Sequence, residues 1–135
     1  MIIDTGPIVA AANQKDPDHD ACRDLLAQMT GTLTVPALVV AEATFLIERS
    51  GGPAAEARFL RSLSSRRYRV EPPTEQDLAR CADLVDQYAD LPLGGTDASL
   101  IALAERMGEA TIATLDHRHF RAVRPKHATA FTLLP

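Results

Sequence analysis

The chain has 135 residues and a hydrophobic fraction of 46%, which suits one domain with an aliphatic core and excludes a disordered chain. Its net charge of −4 does not by itself suggest a nucleic-acid partner, and its two cysteines form neither a CxxC pair nor a zinc-ligand spacing. There is no basic leader, and no apolar stretch approaches the ~20 residues of a membrane-spanning helix. These features predict a single domain over residues 1–135 of a cytoplasmic protein with no membrane contact.

Strands and helices alternate in the predicted order of elements. Gly51 and Gly52 separate two helices, and Thr74 with Asp77 predicts a capping box at the start of another. In chain order we predict strand 1–3, helix 7–13, helix 16–29, strand 33–35, helix 36–49, helix 53–64, strand 68–70, helix 74–88, helix 97–108, strand 111–115 and strand 130–134. This pattern predicts an α/β fold with a mostly parallel sheet and helices on both faces. Sites in such folds lie beyond the carboxyl ends of the strands.

Three aspartates stand where predicted strands end or helices begin. Asp4 follows the first strand, Asp116 follows the strand at 111–115, and Asp97 begins a helix after a glycine pair. Each is a candidate functional acid at the carboxyl edge of the sheet. Each, taken alone, is also explained by helix capping or a local turn, so position by itself leaves both roles open.

Glu42 is predicted to lie on an inward helix face. It falls three or four residues from Leu38, Val39, Phe45 and Leu46, which form an apolar stripe on helix 36–49. A carboxylate on a face that packs inward is costly to bury unless a cation or several donors compensate it. We therefore expect Glu42 to have a functional role.

The four acids together indicate a metal site. If they converge on one edge of the sheet, their mutual repulsion calls for a cation, and no Lys or Arg occupies a matching position. Oxygen ligands favour Mg²⁺, with Mn²⁺ as an alternative, and such an ion can activate water and neutralise charge on a phosphate. Thr5 and Thr114 stand beside the strand-end acids and could position water or phosphate, or could serve only as local caps.

Positive charge is concentrated in two stretches. Six arginines lie between residues 49 and 69 against one acid, and four Arg or Lys residues lie between 117 and 127 with no acid. These stretches could form a phosphate-binding face, or they could be ordinary solvated helix faces. The candidate phosphate contacts are Arg66, Arg67, Arg118 and His119, although a plain surface position also explains His119.

Four segments resemble, in the right order, the acid motifs of PIN domains: IIDTGP at 2–7, VVAE at 39–42, GTDA at 95–98 and TLDHRHF at 114–120. The resemblance covers the whole chain, and its length and motif set are similar to those of VapC-type toxins of bacterial toxin–antitoxin pairs. It implies a PIN-like three-layer sandwich and an Mg²⁺- or Mn²⁺-dependent endoribonuclease. It also implies that Asp4, Glu42, Asp97 and Asp116 are the catalytic acids, with Asp4 and Asp97 as primary metal ligands.

The same resemblance implies partners. RNA would be the substrate, held by the basic residues given above. Such toxins commonly form homodimers and hetero-oligomers with a cognate antitoxin, which inserts a peptide into the site. Gly6 departs from the pattern, because many members of the family have Ser there, so a hydroxyl that could help to hold water or a metal ligand is missing.

Two other functions compete with this interpretation. A phosphatase of the haloacid-dehalogenase type also has an Asp after its first strand, but it needs a second Asp two residues later, where this chain has Gly6. A non-catalytic PIN-fold module that binds RNA or protein gains nothing from an acid on an inward face, such as the one predicted at Glu42. The sequence therefore favours the metal-dependent ribonuclease.

Overall fold

Five short strands form one parallel sheet in the computed structural model, which describes residues 1–135. The strands are β1 (Ile2–Ile3), β2 (Leu33–Pro36), β3 (Tyr68–Glu71), β4 (Thr111–Ala113) and β5 (Thr132–Leu134), in the spatial order β3-β2-β1-β4-β5. Both residues of the central strand β1 are fully buried. This is expected of a β-branched strand covered on both faces. The predicted parallel α/β fold is confirmed.

Six helices cover the sheet. They are α1 (Thr5–Ala12), α2 (His19–Gln28), α3 (Ala37–Leu63), α4 (Glu75–Gln87), α5 (Gly95–Met107) and α6 (His117–Ala122). Helix α1 packs against α2 and α3, and α4 packs against α5. The core between helices and sheet is almost entirely aliphatic, with Phe59 and Phe120 as its buried aromatic residues. None of the helices combines the length and the hydrophobicity that crossing a membrane requires.

The order of the strands reverses direction between β1 and β4. The chain first adds β2 and β3 on one side of β1, and it then crosses over to add β4 and β5 on the other side. Because crossovers between parallel strands are right-handed, the two directions place helices on opposite faces of the sheet. A doubly wound sheet opens a crevice beyond the carboxyl ends of its strands at such a reversal. Residues that follow β1 and β4 therefore enter one crevice.

Helix α3 is two helical segments joined at a sharp bend. Gly52 has φ 72° and ψ −177° at the bend, a backbone conformation that is essentially restricted to glycine. Pro53 follows as the first residue of the second segment, where its missing N–H leaves no helical hydrogen bond unmade. The predicted separation of helices 36–49 and 53–64 is confirmed.

The predicted capping box at the start of α4 is also confirmed. Thr74 Oγ1 accepts a hydrogen bond from the Asp77 N–H at 3.1 Å, and Asp77 Oδ2 accepts one from the Thr74 N–H at 2.8 Å. Arg106 Nε on α5 donates to the same carboxylate oxygen at 2.9 Å. The cap therefore also ties α4 to α5, the helix that carries Asp97.

Candidate metal centre

Two of the predicted acids leave the sheet at the reversal of strand order. Asp4 directly follows β1 and Asp116 follows β4, and the backbone N–H of Asp4 donates to the Ala113 carbonyl oxygen at 2.9 Å. Thr114 connects the two acids, because its Oγ1 donates to Asp4 Oδ2 at 2.7 Å and accepts from the Asp116 N–H at 3.0 Å. Thr114 is fully buried, so its single hydroxyl fixes the spacing of the two acids.

Asp4 is both the N-cap of α1 and a buried acid of the crevice. Its Oδ1 accepts a hydrogen bond from the Thr5 N–H at 2.6 Å, and the residue is only 7% exposed. Burial raises the pKa of Asp4 from 3.8 to about 6 against the lowering effect of these hydrogen bonds, and the charges of Asp97 and Glu42 raise it further. Asp4 therefore caps α1 and at the same time places a buried carboxylate at the end of β1.

Asp97 and Asp116 meet around the imidazole ring of His119. Asp97 lies in the first turn of α5, and Asp116 is the N-cap of α6, where its Oδ1 accepts from the His119 N–H at 3.2 Å. Nδ1 of His119 donates to Asp97 Oδ2 at 3.0 Å and lies 2.9 Å from Asp116 Oδ2. Each of the three side chains offers one ligand atom, and these atoms lie within 4.8 Å of one another.

The environment of Asp97 resembles that of Asp4. Burial raises the pKa of Asp97, and the neighbouring negative charge of Asp116 raises it as well, whereas the hydrogen bond from His119 lowers it. Both acids are therefore held where their ionised forms are disfavoured in the absence of a cation.

Glu42 reaches this region from the first segment of α3. Thr5 Oγ1 donates to Glu42 Oε2 at 2.5 Å, and the Glu42 charge contributes to the raised pKa of Asp4. The structure thus places the four predicted acids in one region, although only Asp97 and Asp116 belong, with His119, to the group whose ligand atoms lie within 4.8 Å of one another. Both predicted supporting hydroxyls contact an acid, Thr5 at Glu42 and Thr114 at Asp4.

The expectation that Glu42 lies on an inward face is wrong, because Glu42 is exposed. The buried stripe of this segment consists of Val39, Ala43 and Ile47, which are spaced four residues apart. Phe45 and Leu46, which suggested an inward face around Glu42, are 57% and 38% exposed. Glu42 stands at the rim of the crevice, where its carboxylate reaches both Thr5 and solvent.

The donor set fits a divalent cation. None of the four acids forms an ion pair with a Lys or Arg side chain, and His119 is the one basic side chain that contacts them, at Asp97 and Asp116. A cation would favour the ionised forms of Asp4 and Asp97, whose pKa values are raised by burial and, to a smaller extent, by the neighbouring acids. Carboxylate oxygens at the mouth of a crevice are ligands that suit Mg²⁺ and Mn²⁺.

The position of His119 between two acids was not predicted from the sequence. The spacing of Asp116 and His119 was a usable signal, because an N-cap acid and a residue three positions later lie on the same side of a helical turn. His117 behaves differently, since its Nε2 contacts the Thr114 carbonyl oxygen at 3.1 Å. The two histidines therefore point in different directions, and only His119 enters the acid cluster.

The predicted phosphate contacts lie at different edges of the sheet. Arg118 is exposed on α6, beside the acids that follow β1 and β4. Arg66 and Arg67 directly precede β3, so in a parallel sheet they lie at the opposite, amino edge. Arg67 is moreover engaged with α2, because its Nη2 donates to the Leu26 carbonyl oxygen and, at 3.2 Å, to that of Met29.

The largest cavity of the molecule is separate from the acids. It is a groove of about 390 Å³ between α1, α2 and the second segment of α3, with Ile8, Leu26 and Phe59 among its lining residues. None of the four acids lines it. The four acids thus lie outside the cavities of the molecule.

Residues 1–125 match the PIN domain family. The chain belongs to the PIN domain family. The PIN fold accounts for the parallel sheet and for the arrival of acids from four separate parts of the sequence. The predicted PIN-like fold is thereby confirmed.

Two relatives from Mycobacterium tuberculosis extend this comparison. The PIN domain described here is 35% identical over 135 residues to the protein named Ribonuclease VapC26, and the match covers all of both chains. Its fold is similar to that of VapC20, described as a sarcin–ricin loop cleaving toxin, with a TM-score of 0.82 and 20% sequence identity. That structural match covers 87% of this chain and 90% of VapC20. The resemblance to VapC-type proteins inferred from the four motifs is confirmed.

Proposed function

We propose that this protein is a metal-dependent endoribonuclease and the toxin of a bacterial toxin–antitoxin pair. One observation carries the proposal: Asp4, Glu42, Asp97 and Asp116 come from four parts of the chain and lie close enough at the reversal of strand order for their charges to interact, and none of them pairs with a Lys or Arg. The similarity to a named ribonuclease over the whole chain supports RNA as the substrate class.

The four carboxylates would hold Mg²⁺ or Mn²⁺, with Asp4 and Asp97 as the main ligands and Glu42 and Asp116 beside them. The ion supplies activation of water and neutralisation of the charge that develops on the phosphate. Thr114 keeps Asp4 and Asp116 at a fixed spacing through its two hydrogen bonds. Thr5 holds Glu42 Oε2, which leaves Oε1 of this exposed carboxylate without a protein partner and able to accept a proton from the attacking water.

The geometry of the edge suggests how RNA lies on the protein. Arg118 on α6 is exposed next to the acids, and the exposed Arg121 and Arg124 follow it along the same segment. These cations would bind backbone phosphates on either side of the scissile bond. In-line attack by water at the phosphodiester would leave a 5′-phosphate on one fragment and a 3′-hydroxyl on the other.

We propose two protein partners as well, an antitoxin and a second copy of this chain. The acids are open to a peptide inserted by an antitoxin, because Glu42 is exposed and the Asp116 side chain is 44% exposed.

Phe45 and Leu46 leave an apolar face of α3 uncovered next to the site, which favours contact with a second copy. Sedimentation of the purified chain should show a dimer, and Phe45→Glu should convert it to a monomer; a wild-type monomer at all concentrations contradicts the dimer.

Expression in a bacterial host tests the toxin function and the reaction products together. The wild-type chain should arrest growth, and RNA from the arrested cells should carry new 5′-phosphate ends that are absent from cells that express Asp4→Asn. Coexpression of the cognate antitoxin should restore growth. Growth arrest of equal strength by Asp4→Asn, with no new RNA ends in either culture, contradicts the proposal.

A further inference from the structure

His119 provides a nitrogen donor inside a cluster of oxygen donors. Its Nδ1 lies 3.0 Å from Asp97 Oδ2 and 2.9 Å from Asp116 Oδ2, so that one ring atom is in contact with both carboxylates. The other histidine of α6, His117, contacts a backbone carbonyl oxygen instead. The contact with two acids is therefore specific to the position of His119 and not a general property of this short helix.

The distances among the three side chains match those of neighbouring ligands around one ion. Ligands that sit next to one another around an octahedral ion, with bonds of about 2.1 Å, are separated by about 3 Å. Nδ1 of His119 has this separation from one oxygen of Asp97 and one of Asp116. The cluster thus has the spacing of a ligand set with one nitrogen and two oxygens.

The backbone around His119 fixes the ring in this orientation. Asp116 caps α6 by accepting a hydrogen bond from the His119 N–H at 3.2 Å, which holds residue 119 over residue 116. The side chain of His119 is 19% exposed, and Nε2 has no protein partner and is not among the buried polar atoms that lack one. Nε2 therefore reaches solvent and can carry the proton of the ring when Nδ1 binds an ion.

We propose that Nδ1 of His119 is a metal ligand together with Asp97 and Asp116, and that this nitrogen makes the centre prefer Mn²⁺ to Mg²⁺. The proposal rests on the metal centre of the proposed function and specifies its ion. Mg²⁺ takes oxygen ligands and keeps much of its water, whereas first-row transition ions accept imidazole nitrogen readily. Removal of the imidazole should therefore weaken Mn²⁺ binding far more than Mg²⁺ binding.

Calorimetric titration of the full chain with Mn²⁺ and, separately, with Mg²⁺ tests the preference. The wild-type protein should bind Mn²⁺ more tightly than Mg²⁺. His119→Ala should lose about tenfold or more in Mn²⁺ affinity, the size of effect seen when a group of a metal site is removed, and much less in Mg²⁺ affinity. His117→Ala, the same change two residues away, should alter neither affinity.

If His119 is not a metal ligand, His119→Ala should change the metal affinities in a different way. If the ring merely occupies the position of the ion and must be displaced, His119→Ala will bind both ions more tightly than the wild type. If the ring only holds the two acids together by hydrogen bonds, both affinities will fall by the same factor. Either result overturns the proposal.

Pulsed electron paramagnetic resonance of the Mn²⁺-loaded protein provides a readout that is independent of activity. A directly bound imidazole should give a ¹⁴N coupling in the wild type and in His117→Ala, and the coupling should be absent from His119→Ala. A wild-type spectrum without this coupling overturns the inference even if RNA is cleaved. A wild-type spectrum with the coupling, in a protein that cleaves no RNA, supports the histidine ligand and contradicts the ribonuclease function.

Discussion

Asp4 makes the stability of the metal-free protein depend on pH. Its pKa is raised from 3.8 to about 6 in the folded state, mainly by burial, so the folded state binds the proton more tightly than the unfolded state does. The destabilisation caused by ionised Asp4 is therefore absent below about pH 4, grows as the pH rises, and is complete above about pH 6. Asp4→Asn removes the ionisation and hence this part of the pH dependence.

We predict that the wild type, unfolded by urea in a chelator, loses about 2.5 kcal/mol of stability relative to Asp4→Asn between pH 4 and pH 7, because the pKa of Asp4 rises from 3.8 to about 6 on folding. The difference between the two proteins isolates Asp4 from other titrating groups. A difference that stays constant over this range contradicts the raised pKa. In saturating Mn²⁺ the stability of the wild type should fall no more steeply with pH than that of Asp4→Asn, because an ion at the site favours the ionised carboxylate.

The buried hydroxyl of Thr114 links Asp4 to Asp116 through two hydrogen bonds. Thr114→Val keeps the shape of a fully buried side chain but removes the donor to Asp4 Oδ2 and the acceptor for the Asp116 N–H. Loss of a buried hydrogen bond to a charged group should destabilise the protein by about 1.5–3 kcal/mol, and RNA cleavage should fall because the two acids lose their fixed spacing. Thr132→Val, at an exposed threonine of β5, is the matched control and should change neither quantity.

At the scale of secondary structure, the bend of α3 depends on one glycine. Gly52 has φ 72° and ψ −177°, so Gly52→Ala should destabilise the protein by about 1–3 kcal/mol through backbone strain, although open space surrounds the position. Gly95→Ala is the control, because that glycine also lies in open space but without a positive φ. It should be neutral or stabilise the protein by up to about 1 kcal/mol. Equal effects of the two changes in thermal unfolding contradict the account of the bend.

The elements that were predictable from the sequence are those set by local chemistry. Two glycines followed by a proline indicate the break at Gly52, and the spacing of Thr74 and Asp77 indicates the start of α4. Both are readable because each feature depends on residues within one turn. The burial of Glu42 was predicted wrongly for a physical reason. Apolar residues such as Phe45 and Leu46 do not have to be buried, so an apolar stripe can surround an exposed acid.

The parts of the site that were not predictable depend on contacts between distant elements. The three aspartates could be named from the ends of strands and helices, but their mutual positions follow from the strand order, which places β4 beside β1. The contact of His119 with Asp97 joins α6 to α5, 22 residues earlier in the chain. No local pattern contains that information.

At the scale of the whole molecule, the distribution of charge predicts which face binds RNA. The double variant Arg118→Ala/Arg121→Ala, placed in an Asp97→Asn background that leaves RNA uncut, should weaken RNA binding. The slope of log affinity against log salt should become shallower by about 1.4, or about 0.7 for each lost contact with single-stranded RNA. Arg58→Ala/Arg66→Ala removes two exposed arginines of the other stretch and should leave the slope unchanged. A larger effect of the second pair contradicts the assigned face.

The most direct test of the account is RNA cleavage by the purified protein in excess chelator, followed by the addition of Mn²⁺. We predict no cleavage in chelator, restored cleavage by the wild type with Mn²⁺, and none by Asp97→Asn under the same conditions. Asp86→Asn, at an exposed acid of α4, should be restored like the wild type. Cleavage at the full rate in chelator, or by Asp97→Asn, would contradict the claim that these four acids form a metal centre for RNA hydrolysis.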